Sequence, residues 1–310
     1  MKQVYLRPIG FADSPQSEEG SVVRLAGGLV YVSRFAVIVR EDGRIVSRIS
    51  VAADDIAEAL ATLPDDLAAQ GEAQWGNLRL AHPPLDLALK GGGARTIRLD
   101  QPQVMGILNV TPDSFSDGGK FLDNPEEAHA HASTMLEGGA ALVDVGGEST
   151  RPGAAAVWEG DELKRVVPMV ERLVASGAAV SIDSRRASVI EAALAAGAQI
   201  VNDVSALRHD PRSAELVARA GVPVVLMHAP GDASDLHADG KFADVVLDVF
   251  DWLAERRDAA IAAGIARENI LLDPGIGFGK TLAENLSLLN ALPLFHALGQ
   301  PLLVAPAASG

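Results

Sequence analysis

Residues 105–119 read MGILNVTPDSFSDGG, an apolar strand that runs straight into a polar, glycine-ended loop with no helix between. Met105 to Leu108 and Val110 form a short apolar run of the kind buried in parallel sheets. Asn109, Thr111, Asp113, Ser114, Ser116 and Asp117 then crowd together, and Pro112 and Gly118-Gly119 punctuate the loop. A rigid strand presenting chemistry at its C-terminal tip fits this order. An ordinary strand-to-helix connection is the competing reading, because Ser and Asp are common loop residues.

Composition narrows the classes. At 310 residues and 48% apolar content, the chain has room for one large domain, a smaller one and a substantial core. A formal charge of −15 argues against nonspecific binding to nucleic acid or an anionic membrane, both of which need basic surface. An anionic ligand must then be met by local cations or a metal. Cysteine is absent, which excludes disulfides and thiolate metal sites. No apolar stretch reaches the length of a membrane span and the N-terminus lacks an apolar signal core, so a cytoplasmic protein is expected.

Outward from the opening stretch, the two sides differ. On the N-terminal side, residues 22–49 carry β-branched and aromatic runs with a Glu41-Asp42-Gly43 turn, which reads as a small strand-rich unit. A helix is expected over 54–63, capped by Asp54 and ended before Pro64. Residues 64–98, with Pro83-Pro84 and Gly91-Gly92-Gly93, read as irregular and linker-like. Residues 1–100 are thus an extension to which no chemistry is assigned, and residues 101–310 the second unit.

On the C-terminal side a rhythm sets in. Apolar strands are expected at 104–110, 141–145, 179–182, 199–204, 223–227, 270–272 and 301–304, and helical patterns at 125–137, 159–175, 187–196, 211–220 and 245–263. Strict alternation implies a parallel sheet with helices outside, and seven strands point to a (β/α)8 TIM barrel rather than an open sheet. Such barrels place their chemistry at the C-terminal ends of the strands.

Polar residues recur at those ends: Asn109, Asp144, Asp183, Asn202-Asp203, Met227-His228 and Asp273. One strand-end Asp is ordinarily an N-cap or loop anchor. Six polar termini meeting at one barrel mouth indicate a ligand site. Asp183, Asn202 and Asp273 supply acceptors and one amide fork, suited to a planar heterocycle with adjacent N–H and NH2 donors, such as the guanidine-like edge of a pterin. Arg151 and Lys280 are candidates for a phosphate, with solvated surface charge as the alternative. Asn109 offers an amide oxygen to a hard cation such as Mg2+. His228 is either a proton donor or a structural histidine. PGIGFGKT at 274–281 nearly matches a phosphate-binding P-loop but has Pro where the first Gly belongs, so its glycines are read as admitting a flat ligand, with Phe278 as an apolar wall.

With these residues in view, the chain from about 102 to 304 resembles the dihydropteroate synthases of the pterin-binding barrel family. The resemblance rests on MGILNVTPDSFSDGG, LVDVGGESTRPGA, SIDSRR, IVNDVSAL, VVLMH and LLDPGIGFGK, in that order. It implies condensation of 6-hydroxymethyl-7,8-dihydropterin diphosphate with p-aminobenzoate, with release of diphosphate and help from Mg2+. It also implies that Asp183, Asn202 and Asp273 read the pterin edge, that Thr150 lies near the diphosphate and that Asn109 binds the metal. Loops 111–120 and 150–155 would close over the site, with Phe115, Arg151 and Pro152 enclosing p-aminobenzoate. Arg151 joins the three pterin readers as the expected catalytic set. Met227, Phe278 and Lys280 complete the expected substrate contacts, and a homodimer is left open.

The family's Ser-Arg-Lys segment after the seventh strand is replaced here by Ala305-Pro306-Ala307-Ala308-Ser309-Gly310, and its Arg-x-His strand does not follow. The expectation is a barrel lacking its last βα units, with little condensing activity. A pterin-dependent methyltransferase and a non-enzymatic pterin binder or partner subunit are the alternatives.

Overall fold

The computed structural model describes residues 2–12, 14, 22–111, 125–149, 157–231, 235–236, 238 and 240–305. The N-terminal part is an antiparallel sheet. Strand β1 (Lys2–Ala12) pairs with one edge of β3 (Tyr31–Glu41), and the short β2 (Val23–Arg24) and β4 (Arg44–Ala52) pair with the other. Strand β3 is buried on both faces from Phe35 to Arg40, as a central strand between two layers must be. On one face lie α1 (Ile56–Ala61) and α2 (Asp65–Arg79), where Trp75 meets Phe35 edge to face at 5.1 Å. Gln74 fastens the layer by accepting from the Leu6 N–H at 2.9 Å and donating to the Val4 carbonyl at 2.6 Å.

Two local expectations are corrected here. The helix expected from Asp54 begins as α1 at Ile56, after a 3-10 turn over Ala53–Asp55, and Asp55 at its N-cap makes no side-chain cap bond. Residues 64–98 are not irregular: they hold α2 and a hairpin of β5 (Leu85–Ala88) and β6 (Ala94–Ile97). Helix α2 escapes a periodicity search because Gly71 and Gly76 sit inside it; Gly71 is required where Leu60 packs, since an added Cβ would lie 2.4 Å from Leu60 Cδ2. Gly92 and Gly93 adopt φ of 93° and 86° and turn the hairpin, a task that only their lack of a side chain makes cheap.

The second part alternates strand and helix: β7 (Met105–Asn109), α3 (Pro125–Glu137), β8 (Leu142–Gly146), α4 (Glu159–Ala175), β9 (Val180–Asp183), α5 (Ala187–Ala196), β10 (Ile200–Asp203), α6 (Ser213–Ala220), β11 (Val224–Met227), α7 (Val245–Ala262), β12 (Ile270–Asp273), α8 (Leu282–Asn290) and α9 (Leu292–Phe295). All six strands pair in parallel in the order β12-β11-β10-β9-β8-β7, and β8, β10, β11 and β12 are buried along their whole length. Helix α8, absent from the expected set, starts with a capping box in which Thr281 and Glu284 satisfy each other's backbone N–H groups.

The hairpin plugs the bottom of this sheet. Leu85, Leu87 and Ile97 pack with Leu142, Ile200, Val225 and Leu271, residues near the N-terminal ends of the strands. Residues 301–303 begin a seventh strand, held to β12 by the single parallel bridge Leu272–Leu302 and by the Leu303 N–H donating to the Leu272 carbonyl at 2.9 Å. Among the described residues no strand joins this edge to β7, so the barrel is not closed. A cavity of about 760 Å3 lies in the gap, bordered by Val104, Met105 and Ile107 on one side and Leu302, Leu303 and Val304 on the other.

The N-terminal sheet is fixed to the barrel's outer wall through α7. Tyr5 Oη donates to Asp251, and the Arg40 guanidinium, 6% exposed, pairs with both Asp248 and Asp251.

Candidate functional site

Strand register builds the site. Asn109 pairs with Gly146, Gly146 with Asp183 and Asp183 with Asn202, so four successive strands place these residues in one row across the mouth. Because in-register parallel neighbours point to the same side, and residues two apart along a strand do too, Asp144 lies one layer below the row. Asp273 is paired with Met227 at the tips of β12 and β11. The expected pterin readers Asp183, Asn202 and Asp273 therefore share the C-terminal face of one sheet.

Gly146 makes this row possible. A Cβ there would sit 3.1 Å from Asn109 Oδ1 and 3.3 Å from Asp183 Oδ2, in the space both oxygens approach. Asn202 Nδ2 donates to Asp144 Oδ2 at 2.9 Å, which turns its amide and leaves its other end toward the row. Burial pushes the Asp144 carboxyl above its usual range. Asp183 is pushed well above, first by burial and then by the negative charges of Asp144, Glu162, Asp203 and Glu148 around it.

Asp203, fully buried, is a local organiser. Its oxygens accept from Ser205 N (2.7 Å), Ser205 Oγ (2.6 Å) and Leu207 N (3.1 Å), holding a turn in which Ala206 and Leu207 have positive φ.

The tip of β12 is similarly built. Asp273 Oδ1 accepts from Gly275 N at 2.7 Å, and burial raises its carboxyl to about 7 against the opposing effects of that bond and of Lys280. Lys280 Nζ donates to the carbonyls of Gly275 (2.7 Å), Phe278 (3.1 Å) and His228 (3.4 Å), so three donors brace the loop after β12; burial lowers its ammonium to about 8. The P-loop resemblance is thus resolved locally: the lysine folds back on its own loop. Met227 packs with Val204, Ala229 and Leu236, and Phe278 lies against this cluster, giving one apolar wall beside Asp273. His228, 3% exposed and edge-on to Trp252 at 4.8 Å, is driven down to about 2 by burial. At neutral pH the ring is therefore uncharged.

Of the expected set, Phe115, Thr150, Arg151 and Pro152 lie outside the described residues. What sequence reasoning missed is a buried charge network at the base of segment 149–157. Glu148 and Glu162 are 8% and 0% exposed. Arg186 Nη2 donates to Glu148 Oε1 and to the Val157 carbonyl, each at 2.8 Å, and Nη1 pairs with Glu162. Arg185 Nε donates to Glu148 Oε2 at 3.0 Å. Burial works to raise Glu148, and the hydrogen bonds and charges of Arg185 and Arg186 overcome it, holding the carboxyl below its usual range. The pattern SIDSRR displayed both arginines, but nothing in the sequence showed that Glu162, on an ordinary acidic helix start, turns inward.

No three or more His, Cys, Asp or Glu side chains gather as a metal cage among the described residues. A hard cation at Asn109 would have one amide oxygen from that residue and would take its remaining ligands from water and substrate, a mode that Mg2+ accepts.

Residues 105–308 match the profile of a family described as pterin binding enzyme. The chain is similar to the dihydropteroate synthase of Mycobacterium leprae, with 51% identity over 203 residues, 65% of this chain and 71% of that one. Among solved structures it is similar to Xanthomonas albilineans dihydropteroate synthase with 4-aminobenzoic acid, at TM-score 0.63 and 48% identity over 72% of this chain and 78% of that one. The same enzyme in complex with 7,8-dihydropteroate aligns at TM-score 0.61 and 46% identity, over 71% of this chain and 77% of that one.

Proposed function

The chain belongs to the pterin binding enzyme family as a dihydropteroate synthase relative, and from that membership we propose that it joins 6-hydroxymethyl-7,8-dihydropterin diphosphate to p-aminobenzoate in folate biosynthesis. The observation that carries the reading is the row Asn109, Gly146, Asp183 and Asn202 with Asp273 beside it, because it sets two carboxylates and two amides around one mouth.

In this reading Asp183 and Asp273 accept from the ring N–H and amino groups of the pterin, and Asn202 supplies the amide. Loss of diphosphate from an electron-rich dihydropterin leaves a delocalised cation, which the aromatic amine captures. No protein nucleophile is then needed: holding the heterocycle, stabilising the departing charge and excluding water are the tasks. Asn109 would hold Mg2+, which supplies charge to the leaving diphosphate. Thr150 is assigned to the diphosphate side and Phe115, Arg151 and Pro152 to p-aminobenzoate, by motif.

A second reading is that the same site binds a pterin without condensing it. One experiment separates them. The protein is given pterin diphosphate, p-aminobenzoate and Mg2+, and diphosphate release is followed beside calorimetric binding of 6-hydroxymethylpterin. Binding with release supports synthesis and binding without release supports the second reading. Absence of both rejects the site.

A further inference from the structure

We propose that Asp144 is a positioning residue that sets the ligand specificity of the mouth. By taking the Nδ2 end of Asn202 it fixes the direction of that amide, so that the site admits a 2-amino-4-oxopteridine and rejects the 2-oxo counterpart. The inference rests on the functional reading above, because it assigns the amide of Asn202 to the pterin edge.

Asp144 stands one layer below the row, buried, with Ile107 and Ser181 as its in-register neighbours on β7 and β9. Its Oδ2 accepts from Asn202 Nδ2 at 2.9 Å. Burial raises the carboxyl, and the Ser181 hydroxyl and the Asn202 amide oppose that rise. The second carboxyl oxygen, Oδ1, and Ser181 Oγ are both buried and bonded to nothing else among the described residues. A proton on the acid therefore settles between those two atoms, and Oδ2 goes on accepting from Asn202 in either state. The carbonyl oxygen and the second N–H of the Asn202 amide are left for the mouth.

The two ends of an amide have nearly the same shape, and only their partners tell them apart. A carboxylate oxygen cannot donate, so at position 144 it takes only the N–H end; an amide or a hydroxyl there would serve either end. With Nδ2 held, Asn202 offers a donor and an acceptor to the ligand in one fixed order. A 2-amino-4-oxopteridine meets that order with ring N1 as acceptor and its 2-amino group as donor. In the 2-oxo compound N1 carries a hydrogen and C2 a carbonyl, so the order is reversed and buried polar groups are left unpaired. Asp183 and Asp273 also prefer the amino compound, because both accept, so the share due to Asp144 is read as a change of preference between variants.

The test measures calorimetric binding of 6-hydroxymethylpterin and 6-hydroxymethyllumazine, its 2-oxo counterpart, to the full chain. Wild type is expected to prefer the pterin by about a hundredfold or more. Asp144→Asn keeps the shape but lets the two amides turn together. With about half the molecules in each order, the pterin is expected to weaken only about twofold while the lumazine strengthens, so the preference falls by about tenfold. Asp144→Ser, whose hydroxyl also serves either end, is expected to move the preference the same way. Equal weakening of both ligands, or an unchanged preference, in whichever variant gives a wild-type-like melting profile overturns the positioning role, and so does a wild type that binds both pteridines equally. If neither variant melts like the wild type, the side-chain amide signal of Asn202 in 15N-labelled wild type decides, with Asn202→Ser assigning it: one N–H slow to exchange with solvent supports the lock, and two fast ones overturn it. Wild-type protein that binds neither pteridine rejects the functional reading itself, and this inference with it.

Discussion

Tyr5 donates its hydroxyl hydrogen to Asp251 at 2.8 Å, joining the first strand of the chain to a barrel helix 246 positions later. Arg40 pairs with the same carboxylate at 3.4 Å and with Asp248, so two residues of the N-terminal sheet share one anchor on α7. Burial, followed by the charge of Asp251, raises the phenol well above its usual range and keeps it a donor. Tyr5→Phe is expected to cost about 1–2 kcal/mol in urea denaturation, the range for a hydrogen bond to a charged group in a partly wet site. In combination with Arg40→Met the loss is expected to be non-additive, because both substitutions act on Asp251.

Gly146→Ala tests the spacing of the row. The new methyl would lie against Asn109 Oδ1 and Asp183 Oδ2, separating two polar groups without touching the core. Melting is expected to change little, while calorimetric affinity for 6-hydroxymethylpterin is expected to fall by about tenfold or more.

Asp273 gives a pH signature. Its carboxyl is raised to about 7 in the fold against about 3.9 in the unfolded chain, so between those values the native state holds the extra proton. Stability from this group is complete below the unfolded value and is lost as pH rises toward 7. Pterin affinity should move the opposite way, strengthening up to about pH 7 as the acceptor ionises. Asp273→Asn is expected to flatten the stability change over that window and to abolish the rise in affinity, read by denaturation and calorimetry at stepped pH.

His296 supplies the contrary slope. Burial, with the nearby His82, lowers it to about 4. A base depressed in the fold contributes stability above the unfolded value of about 6.5 and loses it as pH falls from there toward 4. The ring borders the cavity near Leu302, so His296→Leu has room to be accommodated. The variant is expected to melt with a shallower acid decline than the parent.

Leu87 is 2% exposed in the hairpin that stops the sheet's lower end. Leu87→Ala is expected to cost about 2–4 kcal/mol, the range for a buried leucine whose cavity collapses only in part. Equilibrium urea unfolding measures it.

Much of the barrel was legible because β8 to β12 are short, mostly β-branched and aliphatic runs, three of which (β9, β10 and β12) end in Asp, a pattern that parallel burial imposes locally. The row at the mouth followed, since Asn109 and Asp183 each close a strand and Asn202 stands one residue before the end of β10. The hairpin and α2 did not: Leu85 and Leu87 alternate over too few residues to stand out, and α2 takes its order from packing on β1 rather than from its own amphipathicity. Glu162 was illegible for another reason. A buried acid on a helix looks like any exposed one until its partners, Ser184 and Arg186, arrive from elsewhere in the fold.

The order of synthesis adds a consequence to the hairpin. Leu85, Leu87 and Ile97 leave the ribosome before any of the strands they plug has been made. For the time taken to translate β7 to β12, that apolar surface has no socket, while the N-terminal sheet still awaits α7. The nascent chain is therefore most exposed to misassembly midway through translation, and the stretch ending near residue 100 is where a chaperone has the most to hold.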